Sequence, residues 1–143
     1  MMFTIRSGSM TAVIDSVGAQ LMSLQSVDGT QYLWQGDPKY WPDRSLTIFP
    51  YVARLTDGCY RYRGELYHMP IHGIAPTAEF SVAEQTESAI TFVLESCPAF
   101  YEQYPFLFRY SIRYRLENAT LHVEITVENK DEKTMHFGLG GHP

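Results

Sequence analysis

Between Phe108 and Leu116 apolar and polar residues alternate without a break, with Phe108, Tyr110, Ile112, Tyr114 and Leu116 interleaving with Arg109, Ser111, Arg113 and Arg115. Successive side chains of a β-strand point to opposite faces, so a period of two predicts a strand with one face buried and one in solvent. After Asn118-Ala119 the pattern resumes, with Leu121, Val123, Ile125 and Val127 against His122, Glu124, Thr126 and Glu128. The two runs predict a long antiparallel hairpin with opposite charges available across its outer face. Phe80 to Ala83 and Ile90 to Leu94 flank a polar stretch from Glu84 to Ser88 and predict a second hairpin. The short apolar run Met135 to Leu139 follows the polar turn Asn129 to Lys133 and predicts one more strand of the meander.

The first third reads the same way. Phe3 to Arg6, Thr11 to Ile14 and Ala19 to Leu24 are strand-like runs separated by Gly or Ser, and Tyr32 to Trp34 makes a shorter one. Tyr60 and Tyr62 alternate with Arg61 and Arg63 up to Gly64, and Leu66 to Met69 returns, predicting a tight hairpin. Nowhere do apolar residues recur at i, i+3, i+4 and i+7 over three turns; Ala99 to Gln103 has room for a single helical turn. The chain is predicted to be all-β. Gln35 to Leu55 stands apart as a long connection without an element of its own, rich in aromatics and proline, and such connections are often functional. Trp34, just before it, and Trp41, within it, read as core or loop packing, and Asp43-Arg44 as a bracing pair.

Composition narrows the class. The chain has 143 residues, the size of one domain, and 45% apolar with 19% charged residues favours a folded core. Its 11 basic and 16 acidic side chains give a net charge of −5, and no basic run could track phosphates, which excludes nucleic acid as the expected partner. No window approaches the ~18 apolar residues of a membrane span, and the N-terminus lacks a signal pattern, so a soluble cytoplasmic protein is expected. Cys59 and Cys97 are far apart and read as buried or idle thiols.

Of the five histidines, His68, His122 and His136 fall within predicted strands and read as surface or interface groups. His72 and His142 each sit at a strand end beside glycine, where a ligand can approach closely. An imidazole can give or take a proton near neutral pH, so each reads either as a satisfied structural group or as a proton-transfer group. Their spacing, with no acidic or cysteine partner at ligand distance, argues against zinc, and no nucleophile elbow or phosphate loop is present.

These residues belong to an ordered series: Tyr32-Leu33-Trp34-Gln35-Gly36-Asp37-Pro38, Phe49-Pro50-Tyr51-Val52-Ala53-Arg54-Leu55, Asp57-Gly58, Met69-Pro70-Ile71-His72-Gly73, Tyr104-Pro105-Phe106 and Gly140-Gly141-His142-Pro143. The series resembles the aldose 1-epimerase (galactose mutarotase) family, in its mutarotase-related bacterial branch, over essentially the whole chain. The resemblance implies that residues 1–143 are the N-terminal portion of a galactose mutarotase-like antiparallel β-sandwich, a supersandwich of about twice this length. It implies His142 as general acid, Arg54 and His72 as sugar-binding residues with His72 also at the catalytic centre, no cofactor and no metal. The family's general base, a glutamate, has no counterpart here. Arg54, by itself, reads as a surface residue or an ion-pair partner of Asp43 or Asp57. Ile74-Ala75-Pro76 after His-Gly departs from the aromatic and arginine of many relatives, and Met135-His136-Phe137-Gly138 departs from the more usual Met-Pro-Phe-Ser. The implied function is interconversion of hexose anomers when the fold is complete; the alternatives are a non-catalytic sugar-binding module and a β-sandwich interaction scaffold. A half sandwich leaves an apolar face uncovered, so one of three arrangements is expected: self-association through that face, a companion chain carrying the missing half, or residues 1–143 being a piece of a longer protein.

Overall fold

The structure, a computed structural model, describes residues 1–143. Three strands, β1 (Met2–Ser7), β2 (Met10–Asp15) and β3 (Gln20–Ser26), form one antiparallel sheet in sequence order. A short β4 (Leu46–Ile48) and the hairpin β5 (Cys59–Tyr62) and β6 (Glu65–His68) follow. The second large sheet has four antiparallel strands in the order β10 (Thr120–Asn129), β9 (Phe108–Glu117), β8 (Ala89–Glu95), β7 (Ser81–Gln85). A single turn of helix, α1 (Pro98–Tyr101), links β8 to β9, and β11 (Gly140–His142) closes the chain. The turn of the β5–β6 hairpin places Arg63 and Gly64 at φ +52° and +91°, the twist that two-residue hairpins prefer. No helix is long and apolar enough to cross a membrane.

The two large sheets pack face to face, and the alternation that predicted the strands decides which residues fill the space between them. All five apolar residues of β9 are buried, as are Ile5, Ala12 and Ile14 from the first sheet. Phe3 meets Phe92 edge-on at 5.5 Å, and the Tyr114 hydroxyl donates to the Ala19 carbonyl at 2.8 Å, stitching one sheet to the other. Phe49, also buried, stacks on Tyr110 at 4.6 Å and reaches into the same core from the β4 side. On β10 the apolar set faces the same side as its β9 partners, but β10 is an edge strand, and Val123 remains 50% exposed.

Several expectations need correction. Met135 to Leu139 is not a strand of the meander: its backbone is tied instead to other loops, with Tyr104 donating to the His136 carbonyl at 2.7 Å and Gly138 N–H to Pro50 O at 2.7 Å. The terminal strand is Gly140–His142, and it pairs with β4, not β10. His136 therefore lies in a loop. Tyr32 to Trp34 is likewise irregular, with only an isolated bridge between Gln25 and Gln31 nearby. Two arginines of β9 pair away from β10, Arg109 with Glu95 at 3.0 Å and Arg113 with Glu84 at 3.8 Å, while Arg115 pairs with Glu117 of its own strand, which also meets His122 of β10 at 3.5 Å. These exposed pairs contribute little to stability.

Candidate functional site

The site begins with β4, a three-residue strand inside the stretch expected to lack any element. Its pairing with β11 sets Leu46 opposite His142 and so fixes where the terminal histidine stands. Immediately after β4, the Phe49 carbonyl accepts from Ile74 N–H at 2.8 Å and Ala75 N–H at 3.0 Å. Gly73 lies against that carbonyl at φ +82°; a Cβ there would come within 2.4 Å of Phe49 O. Glycine is required for both reasons, and its presence docks the His72-Gly73 turn on the end of β4.

His72 sits at φ +66°, an uncommon conformation for a residue with a side chain, and is held there from both sides. Its N–H donates to the Ala53 carbonyl at 3.0 Å, while the Ala53 N–H donates to His72 Nδ1 at 3.2 Å. Ala53, at φ +74°, is the matching half of the clasp. The result is a pair of imidazoles: the His72 and His142 rings lie 5.5 Å apart at 77°. On its other side His142 meets Trp41, with ring centroids 4.7 Å apart at 37°.

The loop carrying Trp41 is braced internally. Trp34 Nε1–H donates to the Trp41 carbonyl at 2.9 Å, and Arg44 donates to the Gln35 carbonyl at 2.8 Å. Trp34 is thus the loop-packing residue expected, whereas Trp41 contacts the candidate acid. Arg44 braces the loop through a backbone carbonyl and not through Asp43. Arg54, adjoining Ala53, is exposed and takes part in none of the ion pairs, so of its two readings by itself it is the surface residue and not a partner of Asp43 or Asp57. Its guanidinium, with five N–H donors, is left for solvent or a ligand.

A cavity of about 550 Å³ lies on the other flank of the 50–55 segment, walled by Val52, Leu55, Tyr60, Tyr62, Tyr104 and Phe137 among others. Neither histidine of the pair nor Arg54 lines it. Burial, with the neighbouring Tyr67 phenol, pushes the Tyr60 hydroxyl up to about 12, and burial raises Tyr104 further. No three His, Cys, Asp or Glu side chains converge in a way that could hold a metal ion. Cys59 and Cys97 are both free, one half-buried and one exposed.

The family model described as aldose 1-epimerase matches residues 1–143, the full length of the chain. The chain belongs to the aldose 1-epimerase family. The plasmid protein LacX of Lactococcus lactis subsp. lactis is 29% identical, aligned over 100% of this chain and 50% of its own length. The uncharacterized protein YihR of Escherichia coli K12 is also 29% identical, over 98% of this chain and 48% of its own. Among solved structures, a galactose mutarotase related enzyme from Lactobacillus acidophilus superposes with a TM-score of 0.97 at 37% identity, covering 100% of this chain and 48% of that one. A galactose mutarotase-like protein from Lactobacillus casei ATCC 334 gives 0.96 at 33%, covering 100% and 49%. The chain spans about half the length of the relatives it matches, and its fold is the antiparallel galactose mutarotase-like one. In this epimerase-family chain the structure brings His72 and His142 together across 70 positions of sequence, with the Ala53 amide on His72; Arg54 follows Ala53 in the chain and is exposed, hydrogen-bonded to neither ring. Sequence reasoning missed Trp41 as a contact of His142 and the Ala53 amide as a contact of His72; neither carries a local signal, since both contacts are made between loops.

Proposed function

We propose that this chain supplies the acid and sugar-holding side of an aldose 1-epimerase site. The observation that carries the reading is the His72–His142 pair, two imidazoles 5.5 Å apart at the end of the β4–β11 ladder. Interconverting hexose anomers requires a proton at the ring oxygen and removal of the proton on the C1 hydroxyl, so that the ring opens, C1 turns and the ring closes. His142 gives the proton to the ring oxygen; Arg54 and His72 donate hydrogen bonds that hold the sugar and favour charge developing on oxygen. The base is the family's glutamate, which these residues do not include. General acid or base catalysis is worth about 10²–10⁴-fold, so this chain by itself is expected to leave mutarotation near its spontaneous rate.

Polarimetry on α-D-galactose and α-D-glucose tests this, using the chain and a version extended through the C-terminal half of the family fold. The extended form should accelerate mutarotation, and His142→Gln should remove about 10²–10⁴-fold of that rate. A rate in the extended form that is indifferent to His142→Gln refutes the role. Saturable hexose binding by the short chain without turnover would favour a sugar-binding module, the reading supported by a site that holds donors but no base. The same proposal includes a covering partner, a second copy or a chain carrying the other half, because Val123, Phe137 and Leu139 are 40% exposed or more; a partner-free monomer in light scattering overturns it. The free thiols Cys59 and Cys97 agree with a cytoplasmic setting.

A further inference from the structure

An acid acting through imidazole must first be imidazolium, with hydrogen on both ring nitrogens. At His72 one of those nitrogens is already engaged. Nδ1 receives the backbone N–H of Ala53 at 3.2 Å, and a ring nitrogen that accepts a hydrogen bond carries no hydrogen of its own. In the neutral ring the hydrogen must then sit on Nε2. Adding a proton at Nδ1 would bring two N–H groups head to head, and the loops have little freedom to move apart. The His72 N–H donates back to the Ala53 carbonyl at 3.0 Å, and the following residue, Gly73, is pressed against Phe49 O. Nothing comparable constrains His142: its ring meets the Trp41 indole and the His72 ring, and neither offers a hydrogen bond in this arrangement.

We infer that the Ala53 amide locks His72 as the neutral Nε2–H tautomer, so that His72 serves only as a hydrogen-bond donor and proton transfer within the pair falls to His142. Ala53 is thus a positioning residue that acts through its backbone. The use of that donor rests on the epimerase reading, but the tautomer does not.

The test is side-chain nitrogen NMR of the ¹⁵N-labelled 143-residue chain at neutral pH. The expected result is a single His72 tautomer, Nδ1 unprotonated and Nε2 protonated, with a coupling across the hydrogen bond between the Ala53 amide nitrogen and His72 Nδ1. A His72 ring that averages between tautomers, or that carries hydrogen on Nδ1, overturns the inference whatever the rate of mutarotation. His72→Asn provides a second arm, because asparagine tolerates positive φ and its side-chain oxygen can take the place of Nδ1. The Ala53 amide proton should keep its bonded chemical shift in His72→Asn and lose it in His72→Leu; the same shift in His72→Leu as in the parent chain means that no such bond exists. A locked tautomer together with an epimerase rate indifferent to His142→Gln would sink the catalytic reading, and with it the assignment of proton transfer to His142, and leave the Ala53–His72 tautomer lock standing.

Discussion

Replacing Gly73 with alanine probes the join between the two loops that carry the histidine pair. The glycine is at φ +82°, and the added methyl would meet Phe49 O at 2.4 Å, Phe49 C at 2.7 Å and Pro50 N at 2.7 Å. All three are backbone atoms, so no side-chain rotation can relieve the clash. The left-handed conformation costs an alanine about 1–2 kcal/mol. Pushing the turn away from Phe49 also stretches the hydrogen bonds from Ile74 and Ala75 to that carbonyl, at roughly 0.5–1.5 kcal/mol each. The expected loss is therefore about 2–5 kcal/mol. Gly8→Ala is the control, since Gly8 is also at positive φ, +55°, but has nothing within 4 Å of the new methyl. It should cost only the conformational part, about 1 kcal/mol. Urea unfolding followed by far-ultraviolet circular dichroism reads the difference; with a slope of ~2 kcal/mol per molar, Gly73→Ala should lower the midpoint by roughly 1–2.5 M. Equal midpoints for the two variants, within about 0.5 kcal/mol, would show that the turn does not rest on Phe49 as described.

Removing one hydroxyl in Tyr104→Phe deletes the bond to the His136 carbonyl and should destabilise the chain by about 1–2 kcal/mol in the same assay; an unchanged midpoint would show that Met135 to Leu139 is not held by this tie. At high pH the tyrosines govern stability. Burial raises Tyr60, Tyr104, Tyr110 and Tyr114 above the ordinary phenol value, so the folded chain holds protons that the unfolded chain has released. Their contribution is complete below about pH 10 and declines as pH rises through about 12, where Tyr60 ionises in the folded state. Phenolate absorbance should therefore show a late-titrating set of tyrosines that appears together with unfolding; ordinary titration of all ten tyrosines in a chain still folded would contradict this.

Most of the large sheets was legible because burial is one-sided along them. The alternation of Phe108 to Leu116 marks buried positions one by one, and Gly64 announces the β5–β6 hairpin as a residue free to adopt positive φ. The β4–β11 ladder was not legible. Leu46-Thr47-Ile48 is too short to show a period, and its partner Gly140-Gly141-His142 has two residues without side chains to pattern. Met135 to Leu139 was misread for the opposite reason: it is apolar, but Met135 and Phe137 pack from a loop while Phe137 and Leu139 stay largely exposed, so its apolarity does not mark a strand. Of the site, His72, His142 and Arg54 stood out by ordered motif. The groups that restrict them, the Ala53 amide and the Trp41 ring, did not, because a backbone N–H has no residue type and an indole in a loop has no preferred neighbour.

The β4–β11 ladder also carries a consequence for the order of events in folding. Its pairs join residues separated by about ninety positions, whereas the hairpins of both large sheets close loops of a few residues, and closure entropy grows with that separation. His142 should reach its place only after the sheets have assembled around Tyr110 and Phe49. His142 is thus seated after His72, and amides of β11 should be the latest to gain protection in pulse-labelled refolding.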